Sequence, residues 1–243
     1  MASLLSIDTS STCCSVALNI DDKQLIKRTD TPREHVRLVL PMIDELLSEA
    51  SIKLTALDAI AFTHGPGSFT GLRIGFGVVQ GLAFGADLPV IALSTLRVLA
   101  QRAIRITSPA TQCAIIPAID AHMGELYRGF YRQVDGLAQP IEPDALCPQQ
   151  AITLRSFDGQ AGLTHDTPFI GVGDGWQYKP ALSSANDVLD LSAIYENIGP
   201  DAEDILPLAS EDFQAGRVAA IGDVLPVYLR NTISWKKRQR LRT

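Results

Sequence analysis

The stretch Leu4–Ile20, LLSIDTSSTCCSVALNI, contains two apolar runs separated by a polar turn, and it predicts two β-strands joined as a hairpin. A third apolar run around Leu25 and Ile26 completes a short β-meander. Residues 113–134 repeat this arrangement about 112 positions later, with an apolar strand that again ends in Ile-Asp, a polar turn and a returning strand. The chain is therefore predicted to be an α/β protein with two copies of one βββαβα module.

The segments that follow the first meander alternate between the helical and the strand pattern, which predicts a sheet with parallel pairs. In order they are a helix from Glu34 to Ser51 that Pro41 interrupts, a strand Ala59–Phe62, a turn at His64–Gly67, a helix at about Phe69–Gly85, a strand Val90–Leu93 and a helix capped by Ser94 or Thr95. Further along, residues 201–215 predict a helix and 224–229 a strand or extended segment. Residues 136–166 have too weak a periodicity to assign.

Length and composition describe an ordinary globular protein. The chain has 243 residues, 46% apolar and 20% charged, which is enough for one or two domains. No apolar stretch reaches the roughly 18 residues of a membrane span, and the N-terminus lacks signal-peptide features, so we expect a cytoplasmic protein without membrane contact. The four cysteines form no C-x-x-C pair and the four histidines lie far apart, so neither a disulfide framework nor a metal site is expected.

The charge is unevenly distributed along the chain. The net charge is −6, but Arg230–Thr243 holds six of the 21 Lys and Arg residues and no acid. Residues 1–229 thus carry 15 basic against 27 acidic residues, a net charge of −12. An acidic body repels phosphate backbones, which disfavours a nucleic-acid-binding module unless the tail or a partner supplies positive charge. The alternative for the tail is a solvated, disordered end.

Two carboxylates are the best candidates for metal or phosphate chemistry. Asp8 and Asp120 each end the first strand of a module and precede a polar turn. Neither turn has the glycine expected where a backbone presses against a phosphate, so an aspartate that caps a tight hairpin is at least as good an interpretation. The run Gly171–Gly175, GVGDG, could approach a nucleotide near Gly173, although this pattern alone is weak evidence.

The segment 64–75, HGPGSFTGLRIG, joins a predicted strand to a predicted helix. Such a turn can bind an anion at the helix N-terminus, but the spacing matches neither G-x-G-x-x-G nor a P-loop, and we favour a tight turn. Ser68 does not lie in G-x-S-x-G, which disfavours a nucleophile elbow. The helix that follows has five glycines, each costing roughly 1 kcal/mol relative to alanine, and is apolar on nearly every side. It is therefore either buried or presented to another chain.

Five segments together closely resemble the bacterial TsaB family, also called YeaZ, over essentially the whole chain: Ile7–Ser10, Pro32–His35, Gly65–Gly75, Ile119–Tyr127 and Pro226–Arg230. The block GPGSFTGLRIG is highly specific. The resemblance implies an actin-like ATPase fold (the ASKHA, ribonuclease H-like fold) of two related subdomains, in agreement with the repeat. We assign residues 1–108 to the N-terminal subdomain with the interface helices and 109–243 to a degenerate C-terminal subdomain with the basic tail.

The resemblance also implies a role. Proteins of this family serve in making threonylcarbamoyladenosine at position 37 of tRNAs that read codons beginning with adenosine, in a complex with the catalytic paralogue TsaD and the ATPase TsaE. The catalytic paralogue has two metal-binding histidines on the helix after its fifth strand, where this chain has Thr95 and Leu99. Ser10 stands where actin-like phosphate loops usually have glycine. These departures imply a non-catalytic scaffold that holds no cofactor firmly, with ATP and metal used by the partner subunits.

The family's interface uses two N-terminal helices, here about Glu34–Ser48 and Thr70–Gly85, which favours an interface over a purely core position for the glycine-rich helix. The same face is expected to bind TsaD or, in its absence, a second copy, with tRNA contacted indirectly. Replacing Gly75 or Gly81 by leucine should then separate the subunits and leave the isolated fold intact. The residues expected at the interface are His35, Leu38, Met42, Leu46, Gly71, Gly75, Phe76, Val79 and Leu82.

Two other classes of function remain open at this point. An ATP-dependent phosphotransferase on the same fold would need Asp8 or Asp120 on magnesium, and a peptidase-like enzyme would need a nucleophile with a base, or a metal. No such constellation is visible in the sequence. An independent homodimeric regulator would differ from the scaffold only in which partner binds the helical face.

Overall fold

The computed structural model of the chain describes residues 2–21, 23–31, 34–109, 113–149, 167–178 and 191–230. Within these ranges the chain forms two five-stranded sheets and four α-helices. The strands are β1 (Leu4–Asp8), β2 (Cys14–Ile20), β3 (Lys23–Thr29), β4 (Ala59–Gly65), β5 (Val90–Ser94), β6 (Ala114–His122), β7 (Glu125–Val134), β8 (Leu137–Pro148), β9 (Phe169–Val172) and β10 (Leu191–Tyr195). The helices are α1 (His35–Glu49), α2 (Phe69–Ala86), α3 (Thr95–Thr107) and α4 (Ala202–Gln214).

The first sheet has the strand order β3-β2-β1-β4-β5. The opening meander is antiparallel, with Asp8 opposite Ser15, whereas β1 pairs with β4 and β4 with β5 in parallel. All five residues of β1 are buried, because helices cover both faces of the sheet. Parallel pairing brings the carboxyl ends of β1 and β4 to one edge, where the loop after Asp8 meets the turn before α2.

The second sheet repeats the first. Its order, read from the other end, is β8-β7-β6-β9-β10, with β6–β8 antiparallel and β6, β9 and β10 parallel. The predicted repeat is therefore confirmed, and in the N-terminal copy a fifth strand and a third helix follow the predicted βββαβα. The second half of the unassigned stretch, 150–166, lies outside the described residues, but its first half forms β8. Because β8 contains three prolines, the sequence pattern did not predict a strand. β8 lies at the edge of the sheet, where the N–H group that proline lacks is not needed.

Most predicted element boundaries agree with the structure. Helix α1 runs through Pro41 without a break in the helix assignment. Of the two candidate caps for α3, Ser94 is the one used, because its hydroxyl accepts hydrogen bonds from the backbone N–H groups of Leu96 and Arg97. Ser68 caps α2 and Asp201 caps α4 in the same way. The four cysteines are free thiols.

Helices α3 and α4 lie between the two sheets. Each of them forms hydrogen bonds to the other subdomain. In α3 the Gln101 amide donates to Gly136 O at 3.0 Å and accepts from Ala138 N at 2.8 Å, both in the β7–β8 hairpin. In α4 the first residue, Ala202, donates its N–H to Ser15 Oγ and accepts at its carbonyl oxygen from Ser6 Oγ, both in the first sheet. The largest hydrophobic core therefore spans both sheets and these two helices. Helices α1 and α2 cover the opposite face of the first sheet.

After α4 the chain returns to the first subdomain through residues 217–230, which contain one 3-10 turn (Ile221–Asp223) and which we call the C-terminal strap. Residues 224–229 do not form a strand of either sheet. Ala219 exchanges two backbone hydrogen bonds with Val90 at the edge strand β5, and Val227 N donates to His64 O at 2.7 Å. The division of the chain into two subdomains at residue 108 stays a prediction. Helix α4 and the strap follow residue 108 in sequence but contact the first subdomain.

Candidate functional site

A cleft of about 990 Å³ lies between the two subdomains, at the carboxyl ends of the central strands of both sheets. One wall is the β1–β2 turn and the first turn of α2. The other is the β6–β7 hairpin, the turn after β9 and the loop 196–201. Clefts of this volume and position are where open α/β sheets bind ligands. Three of the sequence candidates, Ser10, Asp120 and Gly173, line it.

Asp8 lies fully buried directly behind Ser10. One of its carboxylate oxygens, Oδ1, accepts hydrogen bonds from Ser10 Oγ at 2.7 Å, Thr63 Oγ1 at 2.6 Å and Ser10 N at 3.3 Å. Its other oxygen, Oδ2, is buried and has no hydrogen-bond partner in the described part of the chain. Burial raises the pKa of this carboxyl, although the two hydroxyl donors oppose the shift. Two of the sequence candidates, Asp8 and Ser10, are therefore in direct contact.

Asp120 is the corresponding residue in the second subdomain. Its carboxylate accepts from Tyr178 OH at 3.1 Å and from His122 N at 2.8 Å, and His122 Nδ1 lies 3.2 Å away. Its own N–H donates to Asp174 Oδ1 at 2.9 Å. Gly173 has a φ of +106°, and a Cβ there would lie 2.3 Å from Ala118 O, which explains the glycine. Sequence reasoning missed Asp174, whose position directly after Gly173 was the available signal.

The cleft residues do not fit the magnesium nucleotide that an actin-like fold implies. Phosphate sites present free backbone N–H groups, but Ser10 N already donates to Asp8 and His122 N to Asp120. Five acidic residues line the cleft against three arginines, so an anion meets net negative charge. Within the described ranges, no group of three or more potential ligands is placed to hold a metal ion.

Thr95 and Leu99, which the family resemblance places where the catalytic paralogue is expected to have metal-binding histidines, lie one turn apart on α3. Thr95 is fully buried, and its hydroxyl oxygen has no hydrogen-bond partner among the described residues. Leu99 lines the cleft, and its Cδ2 would be 2.8 Å from a Cβ on Gly173. An apolar side chain therefore stands at the cleft wall where a metal-binding imidazole is expected in the paralogue.

A second candidate site is an apolar groove of about 540 Å³ on the outer side of α1 and α2, which we call the helical groove. Val36 and Leu40 are 65% and 49% exposed. A Cβ on Gly77, Gly81 or Gly85 would meet nothing within 4 Å, so a stripe of bare α2 backbone faces outward. The residues that line the groove are Val36, Leu40, Arg73, Ile74, Gly77, Val78, Gly81 and Leu82.

Most of the nine predicted interface residues lie outside the helical groove. Leu46 and Val79 are completely buried in the chain's own core, and Met42 is 8% exposed. His35 is also turned inward, with Nε2 3.0 Å from Ser11 O. Of the nine predicted residues only Leu82 lines the groove, while Leu38 and Phe76 are half-buried. Most of the predicted residues lie on the side of α1 and α2 that faces the sheet. The sequence does not distinguish this side from the outer one, because both carry apolar residues.

Gly71 and Gly75 belong to the core, not to the groove. A Cβ on Gly71 would lie 2.0 Å from Thr9 O, and one on Gly75 would lie 2.3 Å from Thr9 Oγ1. We therefore expect leucine at position 75 to disturb the isolated fold, whereas a side chain at position 81 has room.

Among the described residues, α2 is the one helix that is long and apolar enough to cross a membrane. The core helices of other proteins meet the same two criteria of length and composition.

The comparisons with known proteins agree with this architecture. A family model described as TsaD, tRNA N6-adenosine threonylcarbamoyltransferase, matches residues 26–231, which places the chain in the TsaD-type class of actin-like proteins. The tRNA threonylcarbamoyladenosine biosynthesis protein TsaB of Escherichia coli K12 is 39% identical over 237 residues, 96% of this chain and 97% of that protein. The chain belongs to the TsaB (YeaZ) family.

Further relatives support the same assignment. TsaB of Haemophilus influenzae is 35% identical over 247 residues, covering 96% of each chain. The solved structure of YeaZ from Pseudomonas aeruginosa is 38% identical, with a TM-score of 0.84 over 94% of this chain and 100% of that one. A tRNA N6-adenosine threonylcarbamoyltransferase of Polynucleobacter necessarius is 45% identical over 64 residues only, 26% of this chain and 18% of that protein.

Proposed function

We propose that this chain is a non-catalytic, cytoplasmic subunit of the machinery that transfers threonylcarbamoyl to N6 of adenosine 37 in tRNAs reading codons that begin with A. Its partners in this proposal are the catalytic paralogue TsaD and the ATPase TsaE. The names of its relatives support the pathway, since they are tRNA threonylcarbamoyladenosine biosynthesis proteins. ATP and metal are then used by the partner subunits.

The absence of catalysis by this chain is inferred from what lines its cleft. Leu99 has an apolar side chain, which cannot bind a metal, at a position where the catalytic paralogue needs a metal ligand. Thr95 is buried away from the cleft surface. One N–H group in each hairpin turn, Ser10 N and His122 N, already donates to Asp8 or Asp120 and is not free to bind a phosphate oxygen. A buried carboxyl with a raised pKa is also a poorer ligand for magnesium, because ligand carboxylates must be ionised.

The observation that carries the proposal is the helical groove. Large apolar side chains that are exposed, such as Val36 (65%) and Leu40 (49%), cost free energy in water and mark interaction surfaces when they are contiguous. The bare positions Gly77, Gly81 and Gly85 let the helix of a partner approach the α2 backbone closely. A helical partner face is therefore the surface that this groove fits best.

A TsaD-type chain is the natural occupant, because the family model shows that it shares this chain's architecture over residues 26–231. Two related chains can pack equivalent helix pairs against each other about a pseudo-twofold axis. When TsaD is absent, a second copy of this chain occupies the groove and forms a homodimer. The tRNA is then bound mainly by the partner, as expected for a body with a net charge of −12 over residues 1–229.

Filling the groove tests the proposal. Gly81→Leu adds a side chain where nothing lies within 4 Å, so the isolated chain should fold as before and gain helix propensity. The same side chain blocks close helix approach, and we expect affinity for TsaD to fall at least about tenfold, or 1.4 kcal/mol. Gln214→Leu, at an exposed helix position outside the groove, is the matched control.

The measurement is light scattering after size exclusion, with each variant alone and mixed with TsaD from the same organism. Reconstituted transfer of threonylcarbamoyl to tRNA should fall in parallel with complex formation for Gly81→Leu and stay unchanged for Gln214→Leu. Full complex formation by Gly81→Leu would reject the groove as the interface. Transfer that proceeds equally well without this chain would reject the scaffold role itself.

A further inference from the structure

The C-terminal strap ends at the rim of the cleft. Arg230, which lines the cleft, donates to the Glu125 carboxylate and to His122 O at 3.3 Å in the β6–β7 hairpin. Just upstream, Tyr228 accepts a hydrogen bond from Arg73 Nε at 3.2 Å and packs against Phe69 with ring centroids 5.4 Å apart. These contacts hold the strap against both subdomains, so the rest of the chain starts from a defined point beside the cleft.

The segment that starts there, residues 231–243, is strongly basic. Its sequence NTISWKKRQRLRT holds five of the chain's 21 Lys and Arg residues and no acid. An extended chain covers roughly 3.3–3.6 Å per residue, so Trp235 can lie up to about 17 Å from Arg230 and the end of the chain about 45 Å. The whole cleft is therefore within reach of this segment.

The cleft lining has a net negative charge, opposite to that of the segment. Its acidic residues differ in whether an arginine lies beside them. Arg28 and Arg102 both lie within 3.5 Å of the Asp201 carboxylate at one end. At the other end Asp120 and Asp174 lie together, and the contacts recorded for them in the described part of the chain are to N–H groups, a tyrosine hydroxyl and the His122 ring. Burial and then the neighbouring Asp120 charge raise the pKa of Asp174. A cation placed between these carboxylates would relieve that repulsion.

We propose that the basic segment 231–243 occupies the cleft of its own chain, with Lys and Arg side chains beside Asp120 and Asp174. The cleft suits a cation better than a phosphate, because its lining is net acidic and because Ser10 N and His122 N already donate to carboxylates. A short tether keeps the segment at an effective concentration of the order of millimolar, so weak ion pairs suffice. This inference does not depend on the proposed function.

The chain has two tryptophans, which supplies the probe. Trp176 is fully buried, and Trp235 lies in the basic segment. Acrylamide quenching of the intact chain, minus that of Trp235→Phe, isolates the Trp235 signal. We expect this signal to be quenched several-fold more slowly than a free indole, and to become fully accessible in 1 M NaCl, where the Debye length is only about 3 Å.

A charge-matched pair of variants ties the protection to the cleft. Asp120→Asn with Asp174→Asn should expose Trp235, since it removes two carboxylates but keeps an acceptor for the backbone N–H groups. Asp87→Asn with Asp135→Asn removes the same charge at exposed residues with φ of 54° and 51°, which asparagine tolerates, and should leave Trp235 protected.

Three results would overturn the proposal. Trp235 could be fully accessible in the intact chain, or equally protected in both charge variants. Protection that rises with protein concentration would assign Trp235 to an interface between copies. If Trp235 is accessible and a short single-stranded RNA protects it, the segment is a nucleic-acid-binding arm instead. The salt titration uses the unaltered chain, so the test stands even if the Asp120 and Asp174 variant folds poorly.

Discussion

Replacing Gly71 and Gly81 of α2 by alanine, one at a time, should change the free energy of unfolding in opposite directions. At Gly81 the new methyl group meets nothing within 4 Å, so the change is the gain in helix propensity, about 1 kcal/mol. At Gly71 the methyl group would lie 2.0 Å from Thr9 O, a backbone atom of the β1–β2 turn. The turn must move, and Thr9 Oγ1 then loses its 2.8 Å hydrogen bond to Gly71 O.

The magnitudes separate the two variants clearly. Overpacking against the turn costs about 1–3 kcal/mol and the lost buried hydrogen bond about 1 kcal/mol, against the same propensity gain of about 1 kcal/mol. Gly71→Ala should therefore be destabilised by about 1–3 kcal/mol, while Gly81→Ala is stabilised by about 1 kcal/mol. For a chain of this length each kcal/mol shifts the melting temperature by about 2–4 °C.

The assay is urea unfolding followed by far-UV circular dichroism, at a concentration where light scattering shows a monomer, because assembly through the groove would add its own stability. Gly77→Ala is the control and should behave like Gly81→Ala, since its Cβ position is equally open. If Gly71→Ala is as stable as Gly81→Ala, then α2 does not press against the β1–β2 turn, and the division of its glycines between core and groove is incorrect.

Two further predictions concern buried carboxylates. Burial raises the folded-state pKa of Asp144, which accepts hydrogen bonds from Ser94 and from Tyr131 OH, so its stabilising contribution is complete below its ordinary pKa of about 4 and is lost as the pH rises through the folded pKa. Asp144→Asn should therefore gain stability relative to the natural chain between pH 4 and 7, and a constant difference in urea midpoint would contradict this. Arg105 binds the buried Asp204 carboxylate with two hydrogen bonds, at 2.6 and 3.0 Å. Arg105→Ala should cost about 1–3 kcal/mol in the same assay, whereas Arg105→Lys should recover part of it; no change in the alanine variant would show that water replaces the guanidinium.

Local sequence patterns were sufficient for most of the strands and helices. The apolar runs of β1 and β2, the helical period of α1 and the Ile-Asp repeat all depend on neighbours in sequence, and each was confirmed. Asp8 and Ser10 are two residues apart, so their hydrogen bond is also a local event. The strand β8 was missed because its prolines are disfavoured in a strand until it is known to lie at a sheet edge.

The sequence by itself determined the repeat, the order of strands and helices, and the separation of an acidic body from a basic end. Only the tertiary structure decided which glycines of α2 are covered and which are open, because a helix that is apolar on every side carries no periodic signal for its buried face. It also decided the hydrogen bonds of Asp8 with Thr63 and of Val227 with His64, which join residues 55 and more positions apart. Such pairs depend on chain topology, which short-range patterns of polarity do not encode.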